Sequence, residues 1–560
     1  MKTEFPVNVD AVVVGSGFGA SVAACRLAQA GASVLVLERG RSYPPGSFPR
    51  SPRGLDTNLW DPPSGLYGMF DVWAFRHMES LVCSGLGGGS LIYANVLLRK
   101  DKDWFVDDSP GRPVEPWPVT YDELEPFYGQ AEHMLGAQRY PFDRQPYSQT
   151  AKTRAMKEAA HRCGLPWMLP PLAVSFAPEG EPPGSPLADP LGNLHGNAPR
   201  RTCRLCGECD IGCNDGAKNT LDYNYLSRAG DAGATVRDLC EVKRIEPAPG
   251  GYRVGFVAHD PTQAEPPGSA LHWVNCRRLV LGAGTFGTTY LLLRNRSALP
   301  SISPALGTRF SGNGDLLAFL RGAHRRVEGR DVPHPLNPEY GPVITCAVRA
   351  PDTLDGHGDV GRGFYMEDGG NPDFLDWVVE TGGAVQMGAR VVAFLAKRYL
   401  AHLRGIPRSH LSADLARLLG GGESSATLLP LLTMGRDVPD GSLYLRDGNL
   451  ELDWSTQSSG PYFDRVEATV GRMAEALGAS VSNTPMWLFK SAVTVHALGG
   501  VPMGTTPDKG VVDRWGEVFG YRGLHAVDAS VMPGPVGPNP SLTIAALAER
   551  AAAHIIETER

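Results

Sequence analysis

Four cysteines stand close together in the middle of the chain, at the spacing of a metal-binding loop. Cys203, Cys206, Cys209 and Cys213 are separated by two, two and three residues, as in a ferredoxin loop. Their thiolates could enclose a compact iron–sulfur cluster, whereas structural zinc more often uses two cysteine pairs separated by a longer loop. Asn214 stands where a proline usually follows, and three cysteines with a further ligand would also suffice. The alternative is a loop of reduced thiols that packs beside another site.

A histidine near the C-terminal end is a candidate for proton transfer. His496 is followed within four residues by Gly499 and Gly500. A lone histidine is more often structural than catalytic. The crowding of glycines around this one, and the ability of imidazole to move a proton near neutral pH, favour a catalytic role.

A glycine-rich turn, residues 15–20 (GSGFGA), lies near the N-terminus. A β-branched run, residues 10–14, precedes it, and a helical stretch, residues 21–28, follows. Such glycines let the backbone approach a pyrophosphate, and the helix N-terminus supplies N–H donors and positive potential. Glu38 ends the next strand, where its carboxylate can accept ribose hydroxyls and would repel the 2′-phosphate of NADP. The pattern predicts a dinucleotide site rather than an ordinary glycine turn.

Two further glycine turns follow along the chain. Residues 85–90 (GLGGGS) expose several backbone N–H groups and allow positive φ, and Asn95 comes shortly after. Alone this run would be a flexible loop, but it could wrap a second part of the same cofactor. Residues 282–285 (GAGT) end another apolar strand and lead into a helix.

The elements that position these motifs indicate an α/β fold. Residues 10–38 form one βαβ unit, and a nucleotide-domain pattern returns at 234–293. Between about 310 and 490, short alternating strands such as residues 442–445 and 450–454 predict an antiparallel sheet. The sequence therefore predicts a Rossmann-type domain joined to an α+β domain.

A helical stretch, residues 384–419, interrupts this predicted sheet. It is apolar with interleaved basic residues, namely Lys397, Arg398, Arg404 and Arg408. The stretch is either a surface helix packed on the sheet or a lid or peripheral membrane contact.

Length and composition exclude several classes of protein. The chain has 560 residues, so we expect two domains or one domain with large insertions. A net charge of −7 gives no support for a nucleic-acid partner. The N-terminus has no basic segment followed by an apolar one, so no signal peptide is expected. Ten cysteines, four of them in one loop, indicate ligation in a reducing cytoplasm rather than a disulfide scaffold.

Together, the N-terminal βαβ unit, residues 85–90, residues 282–285, His496 and Asn539 resemble the glucose-methanol-choline (GMC) oxidoreductase family. Within it they are most similar to the cholesterol-oxidase-type branch of bacterial proteins. The resemblance extends over nearly the whole chain and is weakest in the middle. It implies FAD rather than a nicotinamide, bound by a Rossmann-type FAD-binding domain. It also implies an α+β substrate domain whose antiparallel sheet lies over the flavin.

The resemblance also implies roles for individual residues. His496 corresponds to the active-site histidine, and Asn539 corresponds to its partner at the flavin face. Glu367 lies in the stretch where cholesterol oxidases carry a glutamate for double-bond isomerisation, but its surroundings differ and favour a solvated turn carboxylate. The implied cofactor contacts are Gly15, Gly17, Gly19, Glu38, Gly85, Gly88, Gly89, Ser90, Asn95, Val242, Gly282, Ala283, Asp528, Pro540 and Thr543.

The same resemblance divides the chain into five segments. Residues 1–100 and 201–310 would form two parts of the FAD-binding domain, the second with the cysteine-rich loop. Residues 101–200 would be a mixed connection and substrate-domain segment. Residues 311–490 would bind the substrate, and residues 491–560 would complete the FAD-binding and active sites.

The implied reaction is oxidation of an alcohol by hydride transfer to FAD. His496 would accept or hydrogen-bond the hydroxyl proton, and Asn539 would orient the oxygen. The expected substrate is bulky, apolar and sterol-like, and the expected electron acceptor is oxygen or a redox protein. An iron–sulfur cluster in the cysteine loop would relay electrons from the flavin. There are two alternatives. One is an FAD protein of the same fold that catalyses a non-oxidative or photochemical reaction, and the other is a flavin/iron–sulfur electron-transfer protein.

Overall fold

The structure is a computed structural model, and it describes residues 5–50, 58–111, 113–188, 193–196, 198–265, 268–356, 358–370, 427–483, 487 and 491–558. The α-helices are α1 (Phe18–Gln29), α2 (Tyr121–Met134), α3 (Ala151–Arg162), α4 (Tyr225–Asp231), α5 (Gly284–Arg294), α6 (Gly460–Ala476) and α7 (Ser541–Glu557). The strands of three residues or more are β1 (Asn8–Val14), β2 (Val34–Leu37), β3 (Phe70–Ala74), β4 (Met78–Cys83), β5 (Thr235–Arg237), β6 (Cys240–Ala248), β7 (Gly251–Ala258), β8 (His272–Leu281), β9 (Leu316–Arg321), β10 (His324–Val327), β11 (Arg330–Pro333), β12 (Ala347–Ala350), β13 (Phe364–Asp368), β14 (Leu429–Gly435), β15 (Ser442–Arg446), β16 (Asn449–Asp453), β17 (Ser480–Asn483), β18 (Ala492–Thr494) and β19 (Leu524–Ala526).

A seven-stranded sheet carries the glycine turns. Its order is β5-β2-β1-β8-β7-β6, with β19 beside β8. The strands β5, β2, β1, β8 and β19 run parallel, whereas β6 and β7 form an antiparallel extension. All four residues of β2 are buried, as expected for a parallel strand that is covered on both faces. The carboxyl ends of β1 and β8 therefore meet at one edge, which is where such sheets bind ligands.

The helices α1 and α7, which lie near opposite ends of the sequence, pack against each other beside this sheet. Arg26 on α1 makes two hydrogen bonds of 2.7 Å to the Glu549 carboxylate on α7, 523 positions away. The Tyr225 hydroxyl on α4 donates to the same carboxylate over 2.6 Å. One buried carboxylate thus joins three helices of the nucleotide-binding layer.

A six-stranded antiparallel sheet forms the second part of the fold. Its order is Trp167–Met168, β12, β13, β14, β9 and β17. The helices α3 and α6 pack against it through a core that includes Met156, Val466 and Val470. The strand β18 pairs with β4 in a separate small sheet, which brings the chain before His496 up to the N-terminal part.

The predicted fold class is confirmed, with one difference in detail. The strands predicted at 442–445 and 450–454 form β15 and β16, but these make a two-stranded hairpin outside the six-stranded sheet. The predicted helix at 384–419 lies outside the described residues. Among the described helices, none has the length and apolar character needed to cross a membrane.

Candidate active site

The first glycine turn lies at the carboxyl ends of β1 and β8, and its three glycines meet different demands. Gly15 has a φ of +90°, and a β-carbon there would lie 2.4 Å from the Gly282 carbonyl oxygen. A β-carbon on Gly19 would lie 1.8 Å from the Val527 carbonyl oxygen. Gly17 has an ordinary φ of −71°, and the nearest atom to a β-carbon there is 4.0 Å away. Packing therefore requires glycine at the first and third positions, whereas the second leaves room for a ligand.

Glu38 joins the first glycine turn to the second. Its carboxylate is buried and accepts hydrogen bonds from the Ser16 hydroxyl at 2.6 Å and the Gly40 amide at 2.8 Å. The Ser16 hydroxyl in turn accepts a hydrogen bond from the Gly87 amide at 2.9 Å. Burial raises the pKa of Glu38. The predicted contact of this carboxylate with ribose hydroxyls stays a prediction.

The second glycine turn packs against the first and ends near an unsatisfied amide. A β-carbon on Gly88 would lie 2.7 Å from the Gly17 α-carbon, whereas Gly89 is exposed and has open space around it. Asn95 is fully buried with a φ of +71°. Among the residues that the structure describes, neither atom of its side-chain amide has a hydrogen-bond partner. Since buried polar groups are almost always satisfied, this amide fits a role in holding a cofactor.

Asp528 ties the third glycine turn to the C-terminal segment. Its carboxylate accepts hydrogen bonds from the Gly284 amide at 2.8 Å, the Thr288 hydroxyl and the Ser530 amide. Ala283, at the start of the turn, is exposed. Asp528 therefore shapes the turn through its contacts with the protein, and a direct cofactor contact stays a prediction.

The other predicted cofactor contacts are spread over several elements. Ser90 donates to the second glycine turn and is buried. Pro540 is the N-cap residue of α7. The buried Thr543 hydroxyl shares a hydrogen bond of 3.0 Å with Tyr128. Val242 is half-buried on β6. None of these positions conflicts with a cofactor bound at the carboxyl ends of β1 and β8, but none of them by itself identifies a cofactor site.

His496 lies just after β18 and is held by a buried carboxylate. Its Nδ1 atom is 2.8 Å from Asp315 Oδ1, and its side chain is 13% exposed while that of Asp315 is 1% exposed. The other carboxylate oxygen accepts hydrogen bonds from the Thr494 hydroxyl at 2.8 Å and the Val495 amide at 3.0 Å. The ring nitrogen Nε2 is thus the one available to a substrate.

Asn539 and Glu367 form a buried pair at the N-terminus of α7. The Asn539 amide nitrogen donates to Glu367 Oε2 over 3.2 Å, and both residues are buried. Within the described ranges, the Asn539 amide oxygen and Glu367 Oε1 have no hydrogen-bond partner. Two unsatisfied oxygens on adjacent buried side chains mark a polar site that a ligand would complete.

The expectation of a solvated turn carboxylate at Glu367 is wrong. Glu367 lies on β13, which is paired on both sides with β12 and β14, and it is 0% exposed. Burial raises its pKa to about 8, and the charges of Asp368 and Asp315 contribute to the rise. The strand ends at Asp368, so the glycines that suggested a turn, Gly369 and Gly370, follow the strand and do not displace Glu367 from it.

Sequence reasoning missed Asp315, although it contacts the predicted catalytic histidine. The two residues are 181 positions apart, so no local spacing connects them. The only available signal is the run of residues 311–315 (SGNGD), in which two glycines flank an asparagine before an aspartate.

The four cysteines of the predicted loop line one small cavity. Cys203 is buried, the other three are half-buried, and all four are free thiols. No three sulfur atoms of described cysteines lie within 4.8 Å of one another, whereas tetrahedral zinc needs its sulfurs about 3.8 Å apart. The Lys218 ammonium donates to the carbonyl oxygens of Leu91 and Cys209, at 3.0 and 2.9 Å, which joins the cysteine loop to the second glycine turn.

Comparisons with known proteins agree with this architecture. Residues 13–47 match the NAD(P)-binding Rossmann-like domain and residues 447–548 match the GMC oxidoreductase family. A pyridoxine 4-oxidase structure from Mesorbium loti superposes with a TM-score of 0.58 at 17% identity, covering 97% of this chain and 98% of that one. That likeness concerns the fold.

Curated relatives extend the match to nearly the whole sequence. A cholesterol oxidase from Mycobacterium tuberculosis is 32% identical over 97% of this chain and 90% of its own length. A cholesterol oxidase from Acinetobacter baumannii is 30% identical over 98% of this chain and 94% of its own. With such identity over almost all its length, the chain belongs to the GMC oxidoreductase family.

Proposed function

We propose that this FAD-dependent oxidoreductase acts on a bulky, mostly apolar alcohol of sterol type. The main support is the polar character of two groups of side chains. Asp315 holds Nδ1 of His496 and leaves Nε2 available to a substrate, and the buried Asn539–Glu367 pair carries two oxygens without a hydrogen-bond partner among the described residues. The relatives named above act on cholesterol, and their similarity over nearly the whole chain supports the substrate class.

The three glycine turns would hold the FAD. The room beside Gly17 and Gly89 admits a dinucleotide backbone, and the amino end of α1 offers N–H donors to its pyrophosphate. The amide of Asn95, which has no hydrogen-bond partner in the described part of the chain, supplies a further donor and acceptor. When bound, FAD supplies the two-electron acceptor for the hydride that leaves the alcohol carbon.

The side chains position the alcohol and take up its proton. His496 Nε2 accepts the hydroxyl proton as the carbon–hydrogen bond is broken. The second hydrogen of the Asn539 amide nitrogen is free to donate to the alcohol oxygen, since the first is directed at Glu367. These contacts fix the orientation of the carbinol carbon, which is the main contribution that a protein makes to such a transfer.

Glu367 is proposed as a proton carrier beside the reacting alcohol. Its pKa of about 8 leaves it mostly protonated at neutral pH. Such a group, once it has lost its proton, can take one from the carbon next to the newly formed ketone and return it two carbons away. That exchange moves a neighbouring double bond into conjugation and consumes no reductant or oxidant.

The function is tested by mixing the purified protein with a panel of alcohols without oxygen. Sterols are expected to bleach the flavin absorbance faster than short polar alcohols at equal concentration, because the proposed substrate is bulky and apolar. The ketone product is then examined for a conjugated double bond. Failure of every alcohol to reduce the flavin would favour the non-oxidative alternative.

The raised pKa of Glu367 predicts a pH-dependent stability. Its folded-state pKa of about 8 lies above the ordinary 4.5, so folding favours the protonated form. The resulting stabilisation is complete below about pH 4.5 and is lost as the pH rises to about 8. The Glu367→Gln side chain cannot ionise. The melting temperature of this variant minus that of the parent should therefore rise steadily from pH 5 to pH 8. Differential scanning calorimetry measures the difference, and a constant offset across that range would contradict the prediction.

The proposed electron acceptor is oxygen or a redox protein, and a redox protein would be reached through an iron–sulfur cluster in the cysteine loop. Four free thiols lining one cavity support the cluster. The contacts of Lys218 place the loop against the second glycine turn, which is proposed to hold the flavin cofactor. The relatives are named as oxidases, which supports oxygen as the acceptor.

Cys206→Ser is expected to separate the two halves of the reaction. In protein prepared without oxygen, flavin reduction by an alcohol should stay near the parental rate, while electron delivery to a one-electron acceptor should slow at least about tenfold. Cys163→Ser replaces a half-buried free cysteine outside the loop and serves as the matched control. Iron and acid-labile sulfide are measured in parallel. Full activity in iron-free protein would exclude the cluster and leave oxygen as the acceptor.

The cytoplasm is the proposed location. All ten cysteines are free thiols, which accords with a reducing compartment.

A further inference from the structure

One short turn, residues 311–315, contacts the segments of both proposed catalytic side chains. Its last residue, Asp315, hydrogen-bonds His496. Its middle residue, Asn313, hydrogen-bonds Gly537 and Pro538, which directly precede Asn539. We propose that Asp315 and Asn313 are positioning residues for the alcohol oxidation, Asp315 acting through His496 and Asn313 acting through Asn539. This inference rests on the proposed function.

Asp315 determines which nitrogen of His496 carries the proton. Its Oδ2 atom already accepts two hydrogen bonds, from Thr494 and Val495, so the carboxylate is an acceptor on that side. Its Oδ1 atom then accepts the hydrogen on Nδ1 of His496, 2.8 Å away. In a neutral imidazole with Nδ1 protonated, Nε2 has a lone pair and can accept the alcohol proton. The Thr494 hydroxyl also accepts from the His496 amide at 2.9 Å, which fixes the backbone of the histidine.

Asn313 clamps the loop before Asn539 through both ends of its amide. Its Oδ1 atom accepts from the Gly537 amide at 2.9 Å. Its Nδ2 atom donates to the carbonyl oxygens of Gly537 and Pro538, each at 3.2 Å. The residue is fully buried with a φ of +54°, a conformation that asparagine tolerates better than most residues. An aspartate here would set a carboxylate against two carbonyl oxygens, so the clamp requires an amide.

The turn itself is anchored on every side, which makes it suitable as a rigid support. Asp437 accepts hydrogen bonds from the Ser311 hydroxyl and the Gly312 amide. The Gly314 carbonyl oxygen accepts a hydrogen bond from the Tyr462 hydroxyl at 2.8 Å. A β-carbon on Gly314 would lie 2.4 Å from the Tyr462 hydroxyl oxygen. A turn held by these three hydrogen bonds keeps its side chains within the small tolerance that catalysis requires.

Asp315→Asn is expected to reverse the tautomer of His496. The amide oxygen of the new side chain would stay with the Val495 N–H, because an NH₂ group there would face another donor. The NH₂ group would then point at Nδ1, which would have to accept and leave the proton on Nε2. In that state Nε2 can no longer take the alcohol proton.

The test is a double-mutant cycle on flavin reduction, measured without oxygen. Asp315→Asn should slow flavin reduction at least about tenfold, and by no more than the roughly 10²–10⁴-fold that a general acid or base contributes. The substrate dissociation constant should change less than about twofold. Added to His496→Ala, the same substitution should change the rate less than about twofold, because its partner is already gone. Asn313→Ala should likewise slow flavin reduction in the parent but change the rate less than about twofold when it is added to Asn539→Ala.

Two controls separate positioning from mere stability. Asp352→Asn changes another buried carboxylate, which accepts hydrogen bonds from the backbone amides of Leu354 and Gly363. The flavin of this variant should be reduced at the parental rate. Asp315→Glu keeps the charge but moves the oxygens, and it serves if Asp315→Asn does not fold. Equal losses in the parental and His496→Ala backgrounds would overturn the proposal, because they would show that Asp315 does not act through the histidine.

A readout without turnover distinguishes this proposal from the proposed function. Nitrogen NMR of protein with ¹⁵N-labelled histidine reports the tautomer, and the His496 signals are identified by their loss in His496→Ala. The parent should carry the proton on Nδ1 and Asp315→Asn should carry it on Nε2. Should no alcohol reduce the flavin, a reversed tautomer would still support the role of Asp315. An unchanged tautomer together with an unchanged rate would overturn it.

Discussion

His496→Ala is expected to keep its flavin and to slow flavin reduction by an alcohol about 10²–10⁴-fold, the usual contribution of a positioned acid or base. The side chain is mostly buried, and its Nε2 atom is the free one because Nδ1 faces Asp315. Truncation removes the proton acceptor but none of the groups that shape the glycine turns. The rate is measured by stopped-flow absorbance without oxygen.

The matched control for this variant is His334→Ala, a half-buried histidine outside the site. It should reduce its flavin at the parental rate. Reduction of the His496→Ala flavin within a factor of two of the parent would remove His496 from the mechanism. Asn539→Ala should also slow reduction, by less, since the amide orients the alcohol oxygen and does not take its proton.

Gly17→Val is expected to yield a folded protein without flavin. The φ of −71° at this position is ordinary, and the nearest atom to a β-carbon is 4.0 Å away, so neither the backbone nor a β-carbon clash opposes the substitution. The space that the valine occupies is the path proposed for the pyrophosphate. Flavin occupancy is measured from the ratio of flavin to protein absorbance, and folding from circular dichroism.

Other glycines make this result specific. Gly15→Ala should destabilise the fold itself, because its β-carbon would lie 2.4 Å from the Gly282 carbonyl oxygen at a φ of +90°. Gly471→Val, at an open position within α6, should keep its flavin. Full occupancy in Gly17→Val would show that the dinucleotide follows another path.

The parts of the fold with local signals could be predicted from the sequence. The βαβ unit at residues 10–38 is found as β1, α1 and β2, because β-branched runs, glycines and an apolar helix face all lie within one short window. The strands at 442–445 and 450–454 are also predicted from their alternation, but the sequence does not show that they pair only with each other, outside the six-stranded sheet. Which strands pair depends on contacts distant in sequence, and alternation alone carries no such information.

The candidate site divides in the same way. His496 is identifiable from its glycine neighbours and family resemblance, whereas Asp315 is 181 positions away and has no pattern that connects the two. For Glu367 the sequence predicts the wrong environment, a solvated turn, whereas the residue is fully buried on β13. Its burial depends on pairing with β14, which lies beyond residues 371–426.

The bond between Arg26 and Glu549 has a consequence for how the chain reaches its folded state. The carboxylate that joins α1, α4 and α7 comes from a helix made more than 500 residues after α1. Contacts of such sequence separation form slowly, because a long loop must close before they contribute. During synthesis, α1 therefore leaves the ribosome long before α7 is made. The part of α1 that packs against α7 stays exposed during that time. The dinucleotide layer is completed only once α7 has been made, so the nascent chain is exposed to aggregation over a long interval of synthesis.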